Sequence, residues 1–326
     1  MSLKNLSVRK KIPKIYKSKL LNQKVNKIFK KFEKSFKIDT NFIVAVSGGA
    51  DSLALAFLTK VYALKKNLNP RYFIVDHKLR KESTYEAYKV KKILKSLKIN
   101  SQVLTWKGKK PVSNIQSLAR SKRYELLFLK CKKLKISNLV LGHHIDDVIE
   151  NFFLRMARGS GLKGLVSLGT NTQIENINLI RPLIEFDKKD LIFLSKFIFN
   201  FYVDDPTNDD IKFNRIKVRN LIKEFEHFGL DKKKFKLTIE NLKKSDQSIK
   251  FYVEKNKREN SNFNHRKNEL ILKENFFDNS HEVIFRSLSD LIHLVGKKPN
   301  FVRGKKIENI LSKIKVQKLR KETLGG

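Results

Sequence analysis

Between residues 41 and 141 the chain alternates short apolar runs with stretches of helical spacing, and this alternation restricts the fold more than any other feature. The runs NFIVAVS, RYFIVDH, SQVLTW and SNLVLGHH are nearly continuous in Val, Ile, Leu and Phe. Strands this apolar are buried on both faces. Between them, residues 52–66, 82–98 and 113–133 place apolar side chains at helical intervals. Such repetition predicts an α/β fold, a parallel sheet with helices on both faces. In open sheets of this kind ligands bind at the carboxyl ends of the strands. Every polar cluster considered below is expected to end or follow a strand.

The first cluster breaks the first strand at Ser47-Gly48-Gly49-Ala50-Asp51-Ser52, after which Leu53, Leu55, Ala56 and Leu58 resume with helical spacing. Paired glycines let backbone approach a ligand closely, and the free N–H groups of a helix's first turn favour an anion. A phosphate fits there. The turn alone is equally consistent with a tight strand-to-helix connection capped by Asp51 or Ser52. It lacks the GxxxxGK[ST] spacing and lysine of a Walker-type loop.

The second cluster, VDHKLR, puts Asp76 and His77 at the end of the next strand, where they face adenosine or magnesium, or serve as a helix cap and a solvated imidazole. The third, LGHHIDDVIENFFLRMARGSGLKGL, is the most informative. A helix starting near His144 or Ile145 places Asp147 and Glu150 on one face, with His143 just before them and Asp146 beside them. Crowded carboxylates repel one another unless a cation, magnesium or a ligand's ammonium group, sits between them. Arg155 and Arg158 follow three residues apart. In the fourth, DDPTNDDIKFNRIKVRN, Asp205-Pro206-Thr207-Asn208 reads as a turn, and Arg215 and Arg219 share a helical face as phosphate contacts or plain surface cations.

Charge points to the partner. The 326 residues carry a formal net charge of +39, a field that collects RNA, DNA or an anionic membrane surface, although lysine-rich composition alone also produces it. One cysteine, Cys131, permits no internal disulfide and no paired-cysteine site, which suits a reducing cytoplasm. No apolar run is long enough to span a bilayer, and the basic amino terminus lacks the apolar core of a signal peptide. Three regions are expected. Residues 1–37 form a basic helical extension with Leu21, Val25, Ile28, Phe29, Phe32 and Phe36 on one face; residues 38–228 form the catalytic domain, with a helical linker over about 187–228; residues 229–326 form a basic, mainly helical accessory domain, loop-like through SNFNHRKNEL.

Taken together, VAVSGGADS, VDHKLR, GHHIDDVIENFFLRMARGSGLKGL, RPLI and YVDDPTNDDIKFNRIKVRN resemble, in order and spacing, the bacterial tRNA(Ile)-lysidine synthetases, over roughly residues 40–222. The first motif is similar to the pyrophosphate loop of the N-type ATP pyrophosphatases, whose sheet is of the adenine nucleotide alpha hydrolase type, Rossmann-like. The resemblance implies that ATP adenylates C2 of the wobble cytidine of a CAU-anticodon isoleucine tRNA, and that the amine of free L-lysine then displaces AMP to give lysidine. It implies that Ser47, Gly48, Gly49, Ala50 and Ser52 hold phosphate and that Asp51 binds Mg2+. Asp147, Glu150 and Arg123 of SKRYELL would hold lysine, with His143 near the reacting centre; Arg155, Arg158, Arg215 and Arg219 would contact tRNA. A homodimer is compatible with it. Val148 and Asn151 stand where the motif usually has Gln and Thr, and neither is a proposed ligand. The related thiolases that modify cytidine use cysteine pairs, which a single cysteine cannot supply; a non-catalytic RNA-binding protein on the same fold is the other reading.

Overall fold

The apolar runs become neighbouring strands. In the computed structural model, β1 (Phe42–Val46), β2 (Arg71–Asp76), β3 (Ser101–Thr105) and β4 (Asn138–Val140) pair in parallel, with Val44 opposite Tyr72 on one side and Val140 on the other. The structure describes residues 12–108, 115–203, 214–264, 266–297 and 301–316. Two further strands, β5 (Asn171–Ile174) and β6 (Ile177–Ile180), extend the sheet to the order β3-β2-β1-β4-β6-β5. The β4–β6 pairing is parallel, but β5 runs antiparallel to β6. The sheet is therefore mostly parallel, as expected, with one antiparallel strand at an edge. A two-residue turn at Glu175 and Asn176, with Glu175 at φ 50°, folds the hairpin, and an antiparallel edge strand tolerates the exposed, polar β5 that a buried parallel strand would not.

Alternation along β1 sends neighbouring side chains into different cores. Phe42, Val44 and Val46 join a large core with α3 (Ala50–Lys66), α4 (Ser83–Ser96) and α8 (Lys188–Phe199), whereas Ile43 meets Leu127 and Cys131 of α5 (Ile115–Leu134) on the opposite face. Burial pushes the Cys131 thiol up to about 11, which leaves it protonated and unreactive.

The amino-terminal segment belongs to the large core. Its helix is broken into α1 (Lys14–Leu20) and α2 (Gln23–Ser35), because the Asn22 side chain caps α2 by accepting from Val25 N at 3.1 Å. The break turns Leu21 out to 83% exposure, contrary to its expected place on the apolar face. Val25, Ile28, Phe29, Phe32 and Phe36 are buried as expected, and Phe36 lies 4.9 Å from Phe32 and Tyr62 and 5.3 Å from Phe42, ring centre to ring centre.

Two compact units divide the chain, one ending at Lys236 and the other beginning at Leu237. The second comprises the later part of α10 (Lys232–Asn260), the hairpin β7 (Ser261–Asn264) and β8 (Glu269–Leu272), α11 (His281–Gly296) and α12 (Gly304–Lys315). It buries Phe276, Ile284, Leu288 and Ile307 in its own core, and Arg286 bonds Asp246 and Glu282. The expected loop through SNFNHRKNEL is this hairpin: Leu270 and Leu272 alternate onto the core, and Asn268 takes a left-handed turn conformation at φ 53°. Among the described residues no helix is long and apolar enough to cross a membrane.

Candidate active site

The first three sequence clusters lie at the carboxyl ends of β1, β2 and β4, and Arg181 of RPLI follows β6. After β1, Gly48 adopts φ +93°, and a Cβ there would sit 2.6 Å from Val90 Cγ2, so glycine is required twice over. The Ser52 hydroxyl closes the loop: it accepts from Ser47 N at 3.1 Å and Gly48 N at 3.0 Å and donates to Gly49 O at 2.9 Å. Those two amides are thus engaged within the loop. The amino end of α3, whose cap residue Gly49 has no side chain to cover it, is left to favour an anion.

Asp51 stands in the first turn of α3. Lys188 Nζ lies 2.5 Å from its Oδ2 and His144 Nε2 3.7 Å, while Oδ1 is buried without a hydrogen-bond partner. An orphaned carboxylate oxygen beside a phosphate-sized turn fits a hard cation. Among the described residues no three His, Cys, Asp or Glu side chains form a metal cage, and magnesium is commonly held by one or two carboxylates plus substrate phosphates. Lys188 escaped the sequence reading because it lies 137 residues away; α8 delivers it by packing Leu191, Leu194 and Ser195 inward, with Ser195 Oγ donating to Ala50 O at 2.5 Å.

After β4, α6 (Ile145–Met156) begins where expected, capped by His144. Asp147 Oδ2 accepts from His144 N at 2.9 Å, and His144 Nδ1 accepts from Asp146 N at 3.3 Å. With Nδ1 accepting, a neutral His144 carries its proton on Nε2, which faces Asp51 Oδ2 and Asp147 Oδ2 at 3.7 and 3.5 Å. His144, not singled out from sequence, therefore bridges the two motifs. Gly142 permits their approach, since a Cβ there would meet the Asp51 backbone at 3.3 Å.

His143 is neutral at physiological pH. Burial pushes its imidazole down to about 3, and Arg181, Arg123 and Arg120 push the same way against the opposing Asp147. His77 is lowered by burial and by Arg123. Asp76 is buried and its carboxylate organises the turn into α4: Oδ1 accepts from Lys78 N at 2.9 Å and Ser83 Oγ at 3.1 Å, and Oδ2 from Thr84 Oγ1 at 2.7 Å. In this structure it caps the turn into α4.

Glu150 is 4% exposed, and Arg219 of α9 (Asn214–His227) bonds both its oxygens, Nε on Oε1 and Nη2 on Oε2 at 3.4 Å. The sequence reading gave Glu150 to lysine and Arg219 to a tRNA phosphate; the structure gives them to each other. Packing explains this. Ile145, Ile149 and Phe153 of α6 bury against Ile222 of α9, and Phe225 stacks on Phe153 at 5.6 Å. Arg155 and Arg158, at and beyond the end of α6, are exposed. The side chain of Arg215 and the Asp205–Asn208 turn lie outside the described residues.

The model of the PP-loop domain family, ATP_bind_3, matches residues 18–225. The chain belongs to the PP-loop family. This PP-loop protein is similar to the tRNA(Ile)-lysidine synthase of Orientia tsutsugamushi, 40% identical over 58% of this chain and 43% of that one, and to the tRNA(Ile)-lysidine synthase of the Wolbachia of Brugia malayi, 35% identical over 64% and 49%. It spans about half the length of these curated relatives. Among solved structures, the U34-tRNA thiolase NcsA of Methanococcus maripaludis has the same fold, with a TM-score of 0.59 at 18% identity over 68% of this chain and 78% of that one.

Proposed function

We propose that this PP-loop protein uses ATP to join free L-lysine to C2 of the wobble cytidine of a CAU-anticodon isoleucine tRNA, forming lysidine, AMP and diphosphate in the cytoplasm. The observation that carries the reading is the meeting of a phosphate-type turn with an acidic helix through His144, which lies between Asp51 and Asp147. Relatives named as lysidine synthases support it.

Two steps divide the chemistry. The cytidine O2 attacks the α-phosphorus of ATP, and the bond to diphosphate breaks; the amino end of α3 and the Gly49–Asp51 turn receive the phosphates. Asp51 would hold magnesium, which when bound neutralises charge on the leaving diphosphate. The lysine ε-amine then forms a bond to C2 as AMP leaves, and the amine must shed a proton. His143, neutral and half-buried beside Asp147, is the acceptor at hand. Asp147 and Glu150 place the ammonium, and lysine competes there with contacts already made by His144 and Arg219. Arg155, Arg158 and the basic second unit meet tRNA phosphates, in keeping with the net charge of +39.

The test is incubation of the purified protein with unmodified CAU-anticodon isoleucine tRNA, ATP and magnesium, with and without lysine, followed by mass analysis of the wobble nucleoside. A lysine-dependent mass gain on that cytidine, with AMP, is expected. AMP without lysine addition would show that the nucleophile is misassigned.

A further inference from the structure

Near the acidic helix lies a basic cluster in which only Arg123 has been given a role, in holding lysine. Arg120 and Arg123, one turn apart on α5, flank the ring of Tyr124, with guanidinium carbons 5.4 and 5.7 Å from its centre. Arg120 Nη2 is 3.5 Å from the Tyr124 hydroxyl, which also bonds with Arg181. Arg181 follows β6 and is 4% exposed. Its Nη1 donates at 2.9 Å to both Gly169 O and Thr172 Oγ1, which fixes the group, while its Nε is buried without a hydrogen-bond partner.

Three guanidiniums thus surround one phenol, and all three push the imidazole of His143 down against the opposing Asp147. Like charges gathered in a half-buried site repel unless an anion joins them, and guanidinium forks match planar oxyanions. The phosphate-binding turn does not supply that anion: it ends β1, whereas Arg181 ends β6, and β4 lies between them, a separation of about 10 Å at ordinary strand spacing. What borders the cluster instead is the acidic face of α6. Acids on one side and arginines on the other match the opposite charges of a free diamino acid.

We propose that Arg120, Arg181 and Tyr124 form the subsite for the α-carboxylate of the amino-acid nucleophile, so that these residues select lysine over amines of the same length. The inference rests on the lysine-ligating reading above and adds where the far end of that substrate is held. A carboxylate seated there would also offset the arginines' share of the downward push on His143, of which burial is the larger part.

Cadaverine, which is lysine without its carboxylate, provides the test. Binding of L-lysine and of cadaverine to the full chain is measured by isothermal titration, and incorporation of each into the tRNA by mass analysis, for the wild type, Arg120→Gln and Arg181→Gln. The wild type is expected to prefer lysine at least about ten-fold, and both variants to lose most of that preference, as follows from removing one charge-assisted contact. A ratio stays readable in a weakened variant, and Arg120→Gln, which gives up only a long 3.5 Å contact to Tyr124, guards against misfolding at Arg181. A preference unchanged in both variants overturns the subsite, as does loss of lysine-independent AMP formation with the preference intact, which would assign the anion to a nucleic-acid phosphate. If the wild type binds lysine preferentially but makes no lysidine, the subsite stands and the proposed reaction fails.

Discussion

Arg219→Met tests whether Glu150 is held by a true buried ion pair. The substitution keeps an apolar stem of similar length but removes the guanidinium from a carboxylate that is 4% exposed. Breaking a fully buried pair from one side destabilises by about 3–5 kcal/mol. The Arg219 side chain is 37% exposed, so water screens part of the interaction, and we expect about 2–3 kcal/mol. For a unit of this size that corresponds to a fall in melting temperature of about 5–10 °C. Urea unfolding of Arg219→Met, Glu150→Gln and the double variant at pH 7 closes the cycle. The double variant should be less destabilised than the two single variants summed, with a coupling of about 1.5 kcal/mol or more. Additivity within about 0.3 kcal/mol, together with a small effect of Arg219→Met, would refute the argument and return Arg219 to the surface cations.

Gly48→Ala should abolish ATP-dependent turnover and cost about 1–3 kcal/mol of stability, because it combines a positive φ with a Cβ 2.6 Å from Val90 Cγ2; AMP release and thermal melting report the two effects. Phe36→Ala should destabilise the first unit by about 3–5 kcal/mol by emptying the cluster of Phe32, Phe42 and Tyr62, measurable by urea unfolding. His143 makes stability depend on pH with a definite sign. Its folded value, about 3, lies below the ordinary 6.5, so the unfolded chain binds the extra proton and stability falls as pH drops from 6.5 toward 3, by up to about 1.4 kcal/mol per unit. Replacing it with Gln should flatten the melting-temperature profile between pH 6.5 and 5, and an unchanged slope would count against a neutral buried His143.

Local sequence carried the parts that depend on local physics. Strands β1 to β4 were legible because a buried parallel strand cannot avoid being continuously apolar, and α6 was legible because crowded acids at helical spacing mark its first turns, although the cap made by His144 was not seen. The edge hairpin was not, since NTQIENINLI pairs polar, exposed residues whose strand character comes from β6 lying beside β4. Leu21 fits the helical period of Val25, Ile28 and Phe32, and only the cap made by Asn22 removes it from that face. Within the site, each motif residue was visible, but its partner was not. Lys188 on Asp51 and Arg219 on Glu150 come from 137 and 69 residues away; Lys188 carries no local signal that distinguishes it from the other basic residues of this lysine-rich chain, and Arg219, though singled out, carries none that points to Glu150.

The contact at Gly142 has a mechanical consequence. With less than a side chain's width between its Cα and the Asp51 backbone, and with His144 lying between Asp51 and Asp147, the two loops form one stiff block. A chimera that exchanges either loop alone between relatives should therefore fail where one that transplants both succeeds.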